Sequence, residues 1–257
     1  MRLIFAVLLL LAACREADST EAAASWSGPE GPCSQMLFEG DRFTVCRDPR
    51  ARIEFRSAGA DGRPLRSFVA LEQVLGRQAK QVRFAMNAGM FDADGRAIGL
   101  LIEGGKELHP INLREGGGNF HLMPNGVFLV REDGSAAVVP STKFEPDKRI
   151  AFATQSGPML VVGGRLHPAF EHDGRSRFVR NGVGITPDGT PAFVISEAPV
   201  SFGKFARLFR DALKCRDALY FDGSVSSLWD PAGNRMDSFA AIGPMVVAFA
   251  PANTHAR

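Results

Sequence analysis

The sequence predicts an α+β fold: a single domain with a mixed β-sheet, several hairpins, a C-terminal βαβ unit and few helices. Three observations carry that expectation. Asp-Gly pairs at Asp61-Gly62, Asp94-Gly95, Asp133-Gly134, Asp173-Gly174 and Asp188-Gly189 mark turns, most of them between alternating or apolar runs, as hairpins require. Apolar residues recur at helical spacing at Phe68, Leu71 and Leu75, and again at Phe202, Phe205, Phe209, Ala212 and Leu213. Ala192-Phe193-Val194-Ile195 and Ala218-Leu219-Tyr220-Phe221 read as buried strands on either side of the second helix. That βαβ unit makes the two strands parallel and places them side by side.

The chain has 257 residues, enough for one large domain once an N-terminal signal is set aside. Thirty basic against 28 acidic residues leave a net charge of +2, and no basic block is interleaved with aromatics, which argues against nucleic acid as a partner. Arg2 followed by the apolar run Leu3 to Leu11 and then small residues reads as a signal peptide over 1–13. Leu11-Ala12-Ala13-Cys14 resembles a bacterial lipobox, which implies cleavage before Cys14 and lipidation of its thiol. An ordinary signal cut near Ala13 or Ala23 is the other reading. Arg15 rather than an aspartate after the cysteine points to the periplasmic face of the outer membrane, with the lipid anchor as the membrane contact. Residues 14–32 read as a flexible linker, 33–250 as the folded domain and 251–257 as a tail. Cys33 and Cys46 flank two short strands, Gln35 to Phe38 and Arg42 to Val45, and are the first choice for a disulfide, with a bridge to Cys215 left open.

In chain order, Ser67 caps the first helix and Gly76 stops it. Val82 to Met86 is a strand that delivers Asn87-Ala88-Gly89-Met90-Phe91. Asp92, Asp94 and Gly95 form a hairpin tip, since the later ligands of a calcium loop are missing. Gly116-Gly117-Gly118 lacks the following Lys-Ser or Lys-Thr of a phosphate loop. Thr154-Gln155-Ser156-Gly157-Pro158 sets polar residues ahead of another strand, and Gly163-Gly164 then turns the chain. Arg175 and Arg177 read as a solvated basic face. Arg180, beside Asn181-Gly182-Val183-Gly184, suits a bidentate grip on a phosphate. Ser201 caps the second helix. If the βαβ strands are parallel, they end on one rim, so Glu197 and Asp222 meet there, and an Arg nearby would hold Asp222 ionised. A cap on a local turn is the alternative for each carboxylate. Gly223, Ser226 and Ser227 follow Asp222 and suit close backbone approach and hydrogen bonding.

Asn87-x-Gly89-x-Phe91, Ser156-Gly157-Pro158, Arg180-Asn181-Gly182-Val183-Gly184 and Leu219-Tyr220-Phe221-Asp222-Gly223 with Ser226-Ser227 together resemble the phosphodiester glycosidase family over roughly residues 80 to 248. The resemblance implies a hydrolase acting on the glycosidic bond of a sugar-1-phosphodiester in an envelope or extracellular glycan. The chemistry of such a bond assigns Asp222 as the lead catalytic carboxylate, Glu197 as the second and Arg180 to the phosphodiester, with substrate binding by Asn87, Gly89, Gln155, Ser156, Gly157, Asn181, Gly223, Ser226 and Ser227. The chemistry is consistent on its own terms. A phosphate is a good leaving group, so a carboxylate acting as nucleophile or base and an Arg on the phosphate suffice without metal or cofactor. Neither Gln155-Ser156-Gly157 nor Gly223-Ser224-Val225 completes a nucleophile elbow, which argues against a serine hydrolase. The rival is a lipid-anchored envelope protein that binds glycan or phosphate without turnover.

Overall fold

The structure, a computed structural model, describes residues 31–251; the signal peptide, Cys14 and nearly all of the linker and tail lie outside the described residues. The chain runs through β1 (Cys33–Phe38), β2 (Asp41–Cys46), β3 (Arg52–Arg56), α1 (Phe68–Leu75) and β4 (Val82–Asn87). It continues with β5 (Leu101–Glu103), β6 (Lys106–His109), β7 (Gly126–Arg131), β8 (Ala136–Pro140), β9 (Ile150–Ser156), β10 (Met159–Val162) and β11 (Arg165–Leu166). The last third holds β12 (Asn181–Ile185), β13 (Pro191–Ser196), α2 (Phe202–Arg207), β14 (Ala218–Tyr220), β15 (Leu228–Asp230), β16 (Arg235–Met236) and β17 (Met245–Phe249).

These strands form three sheets. A seven-stranded sheet has the order β1-β2-β13-β12-β14-β10-β11, and two five-stranded sheets have the orders β16-β15-β4-β17-β3 and β6-β5-β9-β7-β8. Their inner faces close on one core, where Phe193 of the first sheet meets Phe84 of the second at 5.4 Å and Phe128 of the third at 5.6 Å between ring centroids. Each outer face is covered as well. Helix α2 packs on the first sheet, α1 on the second, and segments carrying Ile111 and Phe144 on the third. This double cover explains why β17 is apolar at every position: Val246 and Ala248 enter the central core while Met245, Val247 and Phe249 face α1.

The local signals hold. Ser67 Oγ accepts from Ala70 N at 3.1 Å, and Gly76 ends α1 with φ of 51°. Ser201 Oγ caps α2 by accepting from Lys204 N at 3.1 Å. Asp133-Gly134 and Asp188-Gly189 turn the hairpins β7-β8 and β12-β13. Cys33 and Cys46 face each other across β1 and β2 and are bonded, and Cys215 is a buried free thiol whose pKa burial pushes up to about 12.

The fold is a single α+β domain, but its sheet is not mixed as the βαβ reading requires. Strand β12 lies between β13 and β14 and is antiparallel to both, with Asn181 opposite Ile195 and Gly182 opposite Tyr220. Strands β13 and β14 therefore run in the same direction without being neighbours. The crossover through α2 skips one strand position, and the glycines of β12 make room beneath it. A Cβ on Gly184 would stand 2.6 Å from Phe209 Cδ1 and 2.7 Å from Cys215 Sγ. The common rim survives the correction, because it depends on direction alone.

Candidate functional site

At that rim the segment from Asp222 to Ser227 leaves β14 and crosses to β15, so most of its backbone polar groups need partners other than a strand ladder, although the Asn87 amide of β4 donates to Ser227 O at 3.3 Å. Buried side chains supply them. Asn87 Nδ2 donates to Asp222 O at 3.2 Å and its Oδ1 accepts from Ser227 N at 2.8 Å. Asn181 Nδ2 donates to Asn87 O and Oδ1 at 2.9 Å each. Ser156 Oγ donates to Phe221 O at 2.8 Å, the Ser226 hydroxyl lies 3.0 Å from Val179 O and 3.1 Å from Asn181 Oδ1, and Ser227 Oγ donates to Val225 O at 2.7 Å. All five residues are buried.

The structure thus brings Asn87, Ser156, Asn181, Ser226 and Ser227 together, but with their polar atoms turned to the protein rather than to a ligand. A buried amide or hydroxyl left unpaired is costly, and here each one satisfies the turn that carries Asp222. Gln155 differs from its expected role in the same way. Its Oε1 accepts from Leu100 N and Asn112 N at 3.0 and 2.8 Å, and its Nε2 donates to Asn112 O at 2.7 Å, which pins the segment after β6 to β9. The three glycines serve close packing: Gly89 lies against Gln155 O and Thr154 Oγ1, Gly157 against Asn125 and Phe120 O, and Gly223 against the Tyr220 hydroxyl.

Arg180 is fully buried. Its Nε donates to Val200 O at 2.9 Å and its Nη2 to Ser176 O at 2.8 Å, while Nη1 has no partner among the described residues. The guanidinium lies 3.5 Å over the Phe202 ring, and no carboxylate of the described residues pairs with it. Phe202 stacks in turn on Phe170 at 4.8 Å and meets Tyr220 edge-on at 4.8 Å. Burial pulls the Arg180 pKa down, yet an arginine stays charged in proteins. A buried cation stabilised by an aromatic face and two carbonyls keeps its charge unneutralised, which fits it for an anion.

Extending the pairing of Gly182 with Tyr220 by two residues sets Arg180 opposite Asp222. Asp222 is partly buried, and its Oδ1 accepts from Ser224 N at 3.0 Å. Burial pushes its carboxyl above the usual range against the pull of Ser224. This corrects the expectation that an Arg holds it ionised: desolvation dominates, and Arg180 is not among the groups that act on it. The Tyr220 hydroxyl faces both the Arg180 guanidinium and the Gly223 amide, and burial pushes its pKa up to about 12. Glu197 lies past the end of β13, but its partner is Arg235 of β16 at 2.7 Å rather than Arg180, and Thr44 Oγ1 donates to the same oxygen at 2.5 Å.

Sequence reasoning missed Tyr220, Thr44 and Arg235. Tyr220 is the chain's single tyrosine and directly precedes Phe221-Asp222, a signal that was there to be read. Arg235 follows an ordinary turn and carries no local mark. A cleft of about 750 Å³ between β7 and residues 143–150 contains none of the site residues. A smaller cleft, about 250 Å³, is lined by Phe170, Glu171, Arg175, Ser176 and Phe202, the last being the ring under the Arg180 guanidinium, and its lining holds none of the candidate residues themselves.

Comparison with known proteins bears on the fold and the family. Uncharacterized protein YigE of Escherichia coli (strain K12) is 38% identical over 153 residues, which are 60% of this chain and 60% of YigE, so the match spans less than two thirds of that relative. The catalytic domain of zebrafish N-acetylglucosamine-1-phosphodiester alpha-N-acetylglucosaminidase, auto-inhibited by its pro-peptide, shares the fold with a TM-score of 0.57 at 16% identity over 88% of this chain and 86% of that one. A hypothetical protein from Synechocystis does so with a TM-score of 0.53 at 13% identity over 85% of this chain and 62% of its own. The family model for phosphodiester glycosidase matches residues 80–246, the span that holds Asn87, Arg180, Glu197, Asp222 and Arg235, and the chain belongs to the phosphodiester glycosidase family.

Proposed function

We propose that this protein hydrolyses the glycosidic bond of a sugar-1-phosphodiester in an envelope or extracellular glycan. The observation that carries the reading is Arg180, a buried cation whose Nη1 has no partner and which no carboxylate pairs with among the described residues, two positions beyond the Gly182–Tyr220 pairing on the side of Asp222. A phosphodiester supplies the missing negative charge, and its anomeric carbon then lies toward the rim. Asp222 takes a proton from water as the water oxygen bonds to the anomeric carbon. The bond from that carbon to the phosphate oxygen breaks, and the electron pair leaves on a phosphate monoester. A carboxyl raised by burial is a stronger base than an exposed one, and the monoester needs little acid assistance to depart. Arg180 neutralises the charge that collects on it. Glu197 is the second carboxylate, and the buried amides and hydroxyls hold the turn in place.

The test is steady-state kinetics on a sugar-1-phosphodiester. Asp222→Asn lowers kcat by roughly 100-fold or more, the usual contribution of a general base. Arg180→Ala chiefly raises KM if the phosphate contact is already made in the ground state, and lowers kcat as well if it strengthens toward the transition state. Wild-type turnover in folded Asp222→Asn would instead leave an envelope protein that binds such glycans without cleaving them.

The same reading places the protein in the bacterial envelope, held by lipid on Cys14. Cys14→Ser is expected to leave the membrane fraction and lose lipid labelling; a variant that sediments with membranes as before contradicts the anchor.

A further inference from the structure

The contacts of Glu197 are one-sided. Its Oε1 accepts from both Thr44 Oγ1 and Arg235 Nη1, and no hydrogen bond from the described residues reaches its Oε2, although the side chain is 30% exposed at the rim. Arg235 is itself oriented from behind. Its Nη2 donates to Asp237 Oδ2 at 2.9 Å, and the same oxygen accepts from Leu228 N at 2.9 Å, the first residue of β15 after the Asp222 turn. Thr44 is oriented too, accepting from Gln35 Nε2 at 2.7 Å. Arg235 therefore links a carboxylate carried by the seven-stranded sheet to the strand of the second sheet that receives the Asp222 turn.

We propose that Arg235 is a positioning residue for hydrolysis: with Thr44 it pins Oε1 of Glu197 and leaves Oε2 to face the positive charge that develops on the sugar. The inference rests on the glycosidase reading for its catalytic half and on geometry alone for the rest. The groups that face Glu197 are Thr44 from β2 and Arg235 from β16, with the Arg42 carbonyl accepting from the Glu197 amide and Asp237 balancing the far side of Arg235.

The experiment uses the whole protein with 13C-labelled glutamate, the Glu197 carboxyl being assigned by its loss in Glu197→Gln. In Arg235→Gln, Oε1 of Glu197 loses a donor and the Glu197 carboxyl resonance moves, and Arg235→Lys restores most of that change. On a sugar-1-phosphodiester, Arg235→Gln lowers kcat roughly tenfold or more while KM stays within about twofold, as misplacement of a group acting in the transition state requires. An unmoved resonance in folded Arg235→Gln overturns the proposal, as does a rise in KM with kcat intact. If Arg235→Gln does not fold, Thr44→Val removes the other hold on Oε1, and wild-type resonance and turnover in that variant overturn it equally. A wild-type protein that cleaves no sugar-1-phosphodiester sinks the glycosidase reading, while the resonance still decides whether Arg235 holds Glu197.

Discussion

Asp222 shows how the site is balanced at the scale of one residue. Its carboxyl is partly buried and no cation of the described residues acts on it, so it holds its proton to a higher pH in the folded chain than in the unfolded one. Between the ordinary carboxylate range and that raised value the folded state binds more protons, so stability falls as pH rises through the window and the whole penalty is present above it. Asp222→Asn keeps an acceptor for Ser224 N while removing the charge. It is therefore expected to melt higher than the wild type at neutral pH, with the gain vanishing below the ordinary carboxylate range, even as turnover is lost. Thermal melts of both proteins at pH 7 and pH 3 check this, and equal melting temperatures at pH 7 would show that the carboxyl is not destabilised by its site. The residues themselves were legible. Asn87, Ser156, Arg180, Asn181, Asp222 and Ser226 stand out locally, as polar or charged groups at the ends of apolar runs. What their atoms do was not, since whether the Asn87 amide meets a sugar or the Asp222 carbonyl depends on a strand 94 residues away in sequence.

At the scale of elements, β12 and α2 decide where Arg180 goes. Helical spacing of Phe202, Phe205 and Phe209 gave the helix, and Asn181-Gly182-Val183-Gly184 carried the glycines, but no local pattern says that this strand slots between β13 and β14. The same glycines that looked suited to a phosphate are the ones that let Phe205 and Phe209 approach the sheet. Gly184→Ala puts a methyl against Phe209 and Cys215 and is expected to cost about 1–3 kcal/mol by overpacking. Because α2 begins at Phe202, the ring that covers Arg180, a displaced helix also loosens the guanidinium. Denaturant unfolding measures the first effect and KM for a sugar-1-phosphodiester the second. A stability loss with unchanged KM would mean that α2 does not set the position of Arg180.

Over the whole molecule, three sheets share one core, and the site lies where their strands stop. That arrangement makes the rim depend on edges far from it. Strand β1 is one of the two edge strands of the seven-stranded sheet and is tied to β2 by the Cys33–Cys46 bond, 13 residues apart in sequence. Closing a loop of that length restricts the unfolded chain, an effect of about 3 kcal/mol. On its other side β2 is held by β13 through the pairs Cys46 with Phe193 and Thr44 with Ile195, so Thr44 keeps its place beneath Glu197 when the bond is absent. The double variant Cys33→Ala with Cys46→Ala is therefore expected to lose roughly that much stability while its turnover per folded molecule at 25 °C matches the wild type. Reduction of the wild-type bond is expected to do the same, and the buried Cys215 thiol, with its pKa pushed up to about 12, stays unlabelled by an alkylating agent until the chain unfolds. Urea unfolding gives the first quantity and initial rates the second. A loss of turnover that exceeds the unfolded fraction would show that the bond reaches the rim through β2, and would place Thr44 and Glu197 under the control of the sheet edge.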